Sequence, residues 1–158
     1  GAFITKAKSN FVCYPIHKKD IEKKELVIIE VNTADTTAFK TMKGIGSYYA
    51  QKIVAYREKL GGFYSIEQLK EVYGIKPDVI EQNKQRLTID TAHIVKINLN
   101  TVTKEKLREH PYIKWNIANS IVMYRLSHGN YESVQNIQNS DLVNDELYRK
   151  IVRYLTVK

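Results

Sequence analysis

The chain has 158 residues, 43% of them apolar and 27% charged, a composition typical of a folded protein with one or two small domains. Lys and Arg outnumber Asp and Glu by 25 to 17, and the net charge of +8 favours an anionic partner such as nucleic acid or an acidic membrane surface. The single Cys13 excludes an intramolecular disulfide, the four scattered histidines lack metal-site spacing, and no apolar run approaches the length of a membrane span.

The first 25 residues predict a basic arm that is only partly ordered. They contain six Lys and three acidic residues, with no hydrophobic periodicity that would indicate a packed helix. They begin GAFITKAKSN, without an initiator Met or the apolar core of a signal peptide. This start indicates a piece of a longer protein.

Most of the remaining sequence repeats itself at an offset of 68 residues. Asn32 falls on Asn100, and the register then holds without a gap to the C-terminus. Apolar positions and a turn glycine persist between the copies while surface residues differ, as expected when each copy is one structural unit. The repeat predicts two versions of one small domain, residues 26–90 and 91–158.

Four short helices are predicted in the first unit, and the first two flank a glycine pair. Asp35 is the predicted N-cap of a helix that runs through Met42, with Asn32 or Thr33 as alternative caps. Apolar residues after the glycines recur every three or four positions and predict a second helix of about 14 residues. Gly61 is expected to end this helix in the left-handed conformation.

The second half of the unit repeats this plan about 30 residues later. Ser65 and Gln68 form a predicted capping box for the third helix, and Pro77 is predicted in the first turn of the fourth. Ser133 and Asn144 stand at or beside the equivalent cap positions of the second unit. The β-branched residues of LVIIEVN, HIVKINLN, RLTID and RYLTVK predict short extended segments at the edges of both units.

The stretch MKGIGSYYAQKI, residues 42–53, places Gly44 and Gly46 directly before the second helix. A helix N-terminus has unpaired N–H groups and a partial positive charge, so it accepts anions. Glycines let a phosphate approach the bare backbone, and Lys43 and Lys52 add a longer-range attraction. The stretch therefore predicts a phosphate-binding turn, the alternative being a tight turn without a ligand.

The segment FKTMKGIGSYYAQKI, residues 39–53, resembles the helix-hairpin-helix motif, whose usual form is L-x-x-L-P-G-I-G-x-x-x-A-x-x-I. With NTADTTAF before it and YREKLGGFYSIEQLKEVYGI after it, the unit resembles the ComEA-type DNA-binding domain of bacterial competence proteins. The resemblance covers about residues 30–158. It implies an all-α fold of two tandem compact four-helix units, each a double helix-hairpin-helix (SAM-like) domain, with the short extended segments at their edges.

The family implies sequence-independent binding of double-stranded DNA, with hairpin amides bonded to phosphate oxygens, and a role in DNA uptake. No cofactor, metal or small-molecule substrate is implied, a monomer is expected, and membrane-anchored members imply an extracytoplasmic location. Lys43 occupies the position of the family's usual proline. Carried over by position, the DNA-binding residues of the first hairpin are Lys43, Gly44, Ile45, Gly46 and Ser47, with Tyr48 and Lys52 beside them.

The other hairpins match the motif less well. Gly74 and Lys76 belong to a second hairpin that keeps one glycine. In the second unit HPYIKW puts Tyr112 and Lys114 in place of the glycine pair, so this hairpin either packs against protein or holds DNA through Lys114 and an aromatic surface. Residues 91–158 hold ten basic and six acidic residues, against nine and seven in 31–90, so charge favours the second unit and the motif favours the first. The candidate contacts of the second unit are Ile113, Lys114 and Trp115.

Several side chains near the hairpins have a structural interpretation. Tyr48 and Tyr49 are predicted to be half-buried packing residues, and a protein that binds the duplex backbone needs neither them nor Trp115 for base stacking. Glu71, with Glu67 and Lys70, is predicted on a solvated helix face. Arg57 and its repeat partner Arg125 are predicted to brace their units, with a phosphate contact as the alternative.

The sequence does not predict an enzyme. It contains no paired carboxylates at motif spacing, no Ser or Cys nucleophile with a suitable His, and no metal-ligand cluster. Two binding functions remain: DNA binding through the first hairpin, or a protein-interaction scaffold that has kept the fold without binding DNA. Only the first needs accessible amides at Gly44 and Gly46.

Overall fold

Two small helical units make up residues 27–158, the part of the chain that the computed structural model describes. The predicted basic arm, residues 1–25, lies outside this range. The first unit consists of strand β1 (Ile29–Glu30), helix α1 (Thr36–Lys40), helix α2 (Ser47–Leu60), a 3-10 helix (Ile66–Glu71), helix α3 (Pro77–Asn83), a 3-10 turn (Lys84–Arg86) and strand β2 (Leu87–Thr88).

The second unit repeats this order after a 3-10 turn at Thr91–His93. Its elements are strand β3 (Ile97–Asn98), helix α4 (Lys104–Leu107), helix α5 (Trp115–His128), a 3-10 helix (Val134–Asn139), helix α6 (Asp145–Ile151), a 3-10 turn (Val152–Tyr154) and strand β4 (Leu155–Thr156). No helix within residues 27–158 has both the length and the apolar character needed to cross a membrane. The all-α prediction with two repeated units is confirmed.

Parallel two-residue strand pairs close both units. Ile29 pairs with Leu87 in the first unit, and Ile97 pairs with Leu155 in the second. These pairs hold the beginning and the end of each unit together. The strands therefore obey the same 68-residue offset as the helices, and the predicted extended segments are confirmed.

Asp35 is the N-cap of α1, because its carboxylate accepts a hydrogen bond from the Ala38 amide at 2.9 Å. The alternative cap Asn32 is wrong, since its amide group bonds to the Phe63 and Asp90 carbonyls and so ties three segments of the unit together. Helix α1 also ends at Lys40, two residues before the predicted end. Thr33, the other alternative, likewise does not cap α1.

The remaining cap predictions agree with the structure. Ser65 and Gln68 form the capping box, although the segment that they open is a 3-10 helix rather than an α-helix. Pro77 occupies the first turn of α3, and Asn144 caps α6 by accepting a hydrogen bond from the Leu147 amide. The Arg57 guanidinium donates to the Val31 and Ala34 carbonyls, and Arg125 makes the equivalent bonds to Leu99 and Val102.

Each unit has its own hydrophobic core, and the second unit contributes one buried residue to the core of the first. Tyr154 belongs to the second unit by sequence but lies, 1% exposed, in the core of the first. Its hydroxyl donates to the Gly62 carbonyl at 2.9 Å and accepts from the Gln68 side chain at 2.9 Å. The two units are therefore joined by a buried aromatic side chain and not only by the linker.

A polar network continues this contact. The Gln68 amide also donates to the Tyr112 hydroxyl at 2.9 Å, and the hydroxyls of Tyr56 and Tyr112 both donate to the Glu71 carboxylate, at 2.8 and 2.6 Å. Glu71 is exposed, as the predicted solvated helix face requires, and its carboxylate in addition serves the contact between the units. Burial and the Glu71 carboxylate raise the pKa of Tyr112 above its ordinary value, so its hydroxyl stays protonated and can donate.

Candidate nucleic-acid interface

The first hairpin, hairpin A (residues 41–46), is a tight turn fixed to the core by one side chain. The Ile45 amide donates to the Met42 carbonyl at 3.1 Å, and the Ile45 side chain is 5% exposed. Gly44 has φ +91°, a left-handed conformation that favours glycine. Gly46 then serves as the N-cap of α2 in an extended conformation.

The amides of hairpin A are open where the sequence predicted a phosphate. Gly46 has no side chain with which to cap α2, and within residues 27–158 nothing accepts a hydrogen bond from the amides of Gly44, Gly46 or Ser47. Ile45 differs from this prediction, because its amide is used inside the turn. Three amides, that of Gly44 in the turn and those of Gly46 and Ser47 at the start of the 14-residue α2, are available to an anion.

Asn83 positions hairpin A from behind. Its side-chain oxygen accepts from the Lys43 amide at 3.1 Å, and its nitrogen donates to the carbonyls of Lys43, at 3.0 Å, and Val79, at 2.7 Å. Asn83 is 2% exposed. This residue was not predicted from the sequence. It aligns with the apolar Ile151 of the second unit, so a polar residue at a core position of the repeat was the signal that could have indicated it.

The second hairpin of the first unit, hairpin B (residues 72–76), repeats this geometry. The Ile75 amide donates to the Val72 carbonyl at 3.2 Å, and Gly74 has φ +90°. Lys76 is the N-cap of α3 without a side-chain cap bond. Pro77 follows it and has no N–H group, so hairpin B offers an anion fewer amides than hairpin A does.

The two hairpins pack against each other reciprocally. A Cβ atom on Gly44 would lie 3.2 Å from a methyl group of Val79, and one on Gly74 would lie 3.1 Å from the ring of Tyr49. Val79 and Tyr49 occupy equivalent positions of α3 and α2. The glycines thus allow close contact between the two halves of the unit. Gly44 has a structural role as well as an open amide.

Gly46 has no such structural role. A Cβ atom there would meet nothing within 4 Å, and its φ of −99° is one that any residue adopts. Neither packing nor backbone geometry therefore requires a glycine at this position. This is the position where the structural and the phosphate-binding interpretations of the glycine pair can be separated.

Side chains of both hairpins surround these amides. The Lys52 ammonium lies 5.2 Å from the ring centre of Tyr48 in α2 and 5.8 Å from that of Tyr73 in hairpin B. Tyr48 is 62% exposed and Tyr73 is 85% exposed, so the prediction that Tyr48 is a half-buried packing residue is wrong. Lys43 and Lys76 are exposed as well. The surface combines open amides, three lysines and two exposed rings.

The hairpins of the second unit keep the backbone hydrogen bond of the turn, but the residues at their glycine positions do not adopt positive φ and the amides of these residues are bonded. Hairpin C (residues 109–114) has the Ile113 amide bonded to the His110 carbonyl at 3.0 Å, and hairpin D (residues 140–144) has the Val143 amide bonded to Ser140 in the same way. At the positions of the hairpin glycines, the Tyr112 amide donates to Nδ1 of His110 at 3.1 Å and the Leu142 amide donates to Oγ of Ser140 at 3.3 Å.

Hairpin C also lies against the first unit. His110 is 3% exposed, its ring centre is 4.9 Å from that of Tyr154, and burial lowers its pKa to about 4, an effect that the Leu60 carbonyl partly offsets. Ile113 is 1% exposed, so neither its side chain nor its bonded amide is accessible. Lys114 and Trp115 are exposed, Trp115 to 68%.

Comparisons with known proteins agree with this architecture. The chain is 26% identical over 141 residues to "Endonuclease/exonuclease/phosphatase family domain-containing protein 1" of Danio rerio, covering 78% of this chain and 26% of the relative. It is 43% identical over 60 residues to an uncharacterized protein of Haemophilus influenzae, covering 37% of this chain and 54% of the relative. It is 34% identical over 62 residues to ComE operon protein 1 of Bacillus subtilis, covering 39% of this chain and 30% of the relative.

These similarities assign the chain to a family, although the chain matches only part of the length of its relatives. The chain spans about a quarter of the length of the vertebrate relatives. No solved structure gave a significant match. The family described as helix-hairpin-helix motif matches residues 24–88 and 92–156, that is, both units. The chain therefore belongs to the helix-hairpin-helix family, with two copies in tandem, and is ComEA-like.

Proposed function

We propose that the first unit, residues 26–90, binds double-stranded DNA without sequence preference. Membership of the helix-hairpin-helix family and similarity to ComE operon protein 1 support DNA binding. The observation that carries the mechanism is the row of open amides at Gly44, Gly46 and Ser47, which donate to phosphate oxygens in the proposed complex. Lys43 and Lys52 supply attraction to the DNA backbone, and hairpin B contributes Gly74 and Lys76 as a weaker second contact.

The proposed role is binding without catalysis. Two copies of a binding motif account for residues 24–88 and 92–156. The vertebrate relatives carry the name of an endonuclease/exonuclease/phosphatase domain, but the shared part is 26% of their length. We propose that the chain acts as a monomer, which light scattering tests directly. A role in bacterial DNA uptake is a further part of the proposal, and its test is transformation by added duplex DNA after deletion of the gene.

A Gly46→Ser substitution tests the amide mechanism without weakening the fold. Serine is a better N-cap than glycine, because its hydroxyl accepts a hydrogen bond from the Tyr48 or Tyr49 amide, and its side chain then stands at the helix N-terminus where the phosphate is proposed to bond to the Gly46 and Ser47 amides. We expect the free energy of unfolding to rise by a few tenths of a kcal/mol. The affinity for a fluorescent random-sequence duplex should fall roughly tenfold, because a hydrogen bond to a charged group is worth about 1.5 kcal/mol or more.

The measurement is fluorescence anisotropy at low and physiological salt, with chemical denaturation of the same samples. Gln51→Ser is the matched control, because it introduces the same side chain one turn later on the exposed surface of α2. Equal affinity of the wild type and the Gly46 variant would contradict amide binding. A variant that is more stable and binds less DNA supports it, since misfolding cannot explain that combination.

Contact with another protein is the second candidate function, and a separate observation on the second unit favours it. Hairpins C and D offer no glycine amide, because Tyr112 and Leu142 bond to side chains of their own turns. Helix α5 beside hairpin C nevertheless exposes large apolar side chains. A surface that binds duplex DNA through backbone amides needs those amides open and has no use for exposed apolar side chains.

A further inference from the structure

Helix α5 exposes an apolar face on the side away from the core of its unit. Trp115 is 68% exposed, Met123 is 51% exposed and Leu126 is 70% exposed. With Asn119 they stand at four-, four- and three-residue steps, so all four lie on one face of the helix over about 16 Å. We name this face the α5 stripe, consisting of Trp115, Asn119, Met123 and Leu126.

The first unit shows that the fold does not require this stripe. The equivalent face of α2, at the 68-residue offset, is occupied by small or polar residues that are all exposed. The same helix in the same architecture is therefore stable with a solvated surface there, and an exposed apolar row is unfavourable in water unless something covers it. The α2 residues that correspond to the stripe are Ser47, Gln51, Ala55 and Glu58.

One end of the stripe is bordered by positive charge. Lys104 of α4 and Arg108, the C-cap of α4, line a cavity of about 160 Å³ together with Trp115 and Asn119. Within residues 27–158 neither Lys104 nor Arg108 forms an ion pair with a carboxylate. Helix α5 contains no Asp or Glu. The surroundings of the stripe therefore favour an occupant with acidic groups.

We propose that the α5 stripe docks an amphipathic helix of another protein, with apolar residues along the stripe and acidic residues against Lys104 and Arg108. The proposal rests on the protein-contact role of the second unit and is independent of DNA binding by the first. A second copy of the chain would bring the same two cations together, and the chain's own first 25 residues carry six Lys against three acidic residues. Charge disfavours both.

A nucleic acid fits the surface less well than such a helix does. Trp115 and the two cations could contact a base and its phosphate, but the stripe continues through Met123 and Leu126, away from the cations. These two side chains offer nothing to a phosphate backbone. Three apolar positions along one helix match the spacing by which amphipathic helices dock into apolar grooves.

The test uses the fluorescence of Trp115, the only tryptophan of the chain. The probes are two synthetic amphipathic peptides of about 15 residues with the same leucine positions, one flanked by Glu and the other by Lys. We expect the Glu peptide to shift the Trp115 emission to shorter wavelength in a saturable way. The Lys peptide should bind more weakly by a factor of roughly ten at least. No saturable shift with the Glu peptide, or equal shifts with both, would overturn the proposal.

A matched variant locates the effect. The double substitution Met123→Ala and Leu126→Glu installs the residues that the first unit carries at these positions, so the fold should persist by circular dichroism. It should lower the affinity for the Glu peptide roughly tenfold. Val95→Ala, at an exposed apolar residue outside the stripe, should leave this affinity unchanged.

The rival occupants give different results. Saturable quenching by an oligothymidine that exceeds the effect of the Glu peptide would assign the stripe to nucleic acid instead. A dimer in light scattering that the double variant abolishes would assign it to a second copy. Duplex binding through hairpin A is measured separately, so loss of DNA binding in Gly46→Ser leaves the peptide result interpretable.

Discussion

At the scale of single residues, the four hairpins differ in what the amide at the glycine position bonds to. In the first unit Gly44 and Gly74 adopt positive φ, and the residues two positions earlier, Met42 and Val72, have no side-chain acceptor. In the second unit His110 and Ser140 occupy those positions and accept the amide hydrogen. The turn thus exists in two forms, one with a glycine at positive φ and an open amide, and one with a residue that lacks positive φ and whose amide is bonded within the turn.

Asn83 gives a prediction at this scale. Ile is the residue at the equivalent position of the second unit. Replacement of Asn83 by Ile fills the buried position with an apolar side chain but leaves the amide and carbonyl of Lys43 without their partner. We expect the free energy of unfolding to fall by about 2 kcal/mol, the cost of a buried polar group left unpaired. Affinity for duplex DNA should fall with it because hairpin A loses its support.

Chemical denaturation and duplex anisotropy measure both effects. Gln82→Ala removes a neighbouring exposed amide side chain of α3 and serves as the control, with little expected change. If the Asn83 variant were as stable as the wild type, the carbonyl and amide of Lys43 would have found water instead, and the positioning role of Asn83 would be rejected.

At the scale of elements, the features that depend on periodicity and local capping could be predicted from the sequence. The 14-residue α2, the capping box at Ser65 and Pro77 in the first turn of α3 all depend on residues within a few positions of one another. Phe39 and Ile53 of the motif lie in the core, as its apolar pattern implies. The open amides of Gly44 and Gly46 could likewise be expected from two glycines, one residue apart, directly before a helix.

Contacts between distant elements could not be predicted in this way. Asn83 bonds to a backbone 40 positions away, and Glu71 meets Tyr112 across 41 positions. Neither partner has a fixed sequence spacing, so no local pattern marks it. The exposure of Tyr48 was also missed, because helical spacing alone does not tell which face a neighbouring element covers.

Hairpins A and B together predict a modest dependence of DNA affinity on salt. Pro77 removes one amide from hairpin B, so the first unit should neutralise only a few phosphates, and the slope of log affinity against log salt should be about −2 to −4. Lys52→Ala should bring the slope closer to zero by about 1, because Lys52 lies between Tyr48 and Tyr73 at the hairpins.

Lys59→Ala is the matched control for this slope. It removes the same charge from the last turn of α2, at the end of the helix away from hairpin A. Anisotropy titrations of the three proteins at several salt concentrations provide the comparison. Equal slopes for the two variants would mean that Lys52 acts only through net charge and has no place in a local phosphate contact.

At the scale of the whole molecule, Tyr154 makes the two units depend on each other. It lies in the first core, and its hydroxyl is bonded to both Gly62 and Gln68. Tyr154→Ala should lower the free energy of unfolding by about 3 to 5 kcal/mol, as for other large buried aromatic residues. This loss of stability should include the first unit, although Tyr154 belongs to the second unit by sequence.

Denaturation followed at each unit checks this. The tyrosine signal reports the whole chain, whereas the emission of Trp115 reports the second unit, so the wild type should give coincident transitions and Tyr154→Ala separate ones. Tyr148→Ala, at a partly buried tyrosine of α6 that packs on the second core, should keep the transitions coincident. Coincidence in the Tyr154 variant as well would show that the remaining contacts couple the units.

His110 makes the same contact sensitive to acid. Burial lowers its pKa to about 4, below the ordinary 6.5, so the folded state binds a proton less readily than the unfolded chain does. Its contribution to stability is therefore complete above about pH 6.5 and is lost as the pH falls towards 4, by about 3 kcal/mol in total. Protonation of Nδ1 also removes the acceptor of the Tyr112 amide in hairpin C.

Unfolding free energies between pH 7.5 and about pH 4 test this linkage. His110→Gln should flatten the pH profile relative to the wild type, because an uncharged side chain has no proton to gain. His93→Gln, at an exposed histidine beside Asp90, should leave the profile nearly unchanged. If the His110 variant followed the wild-type profile throughout, the acid sensitivity would belong to the carboxylates and not to the contact between the units.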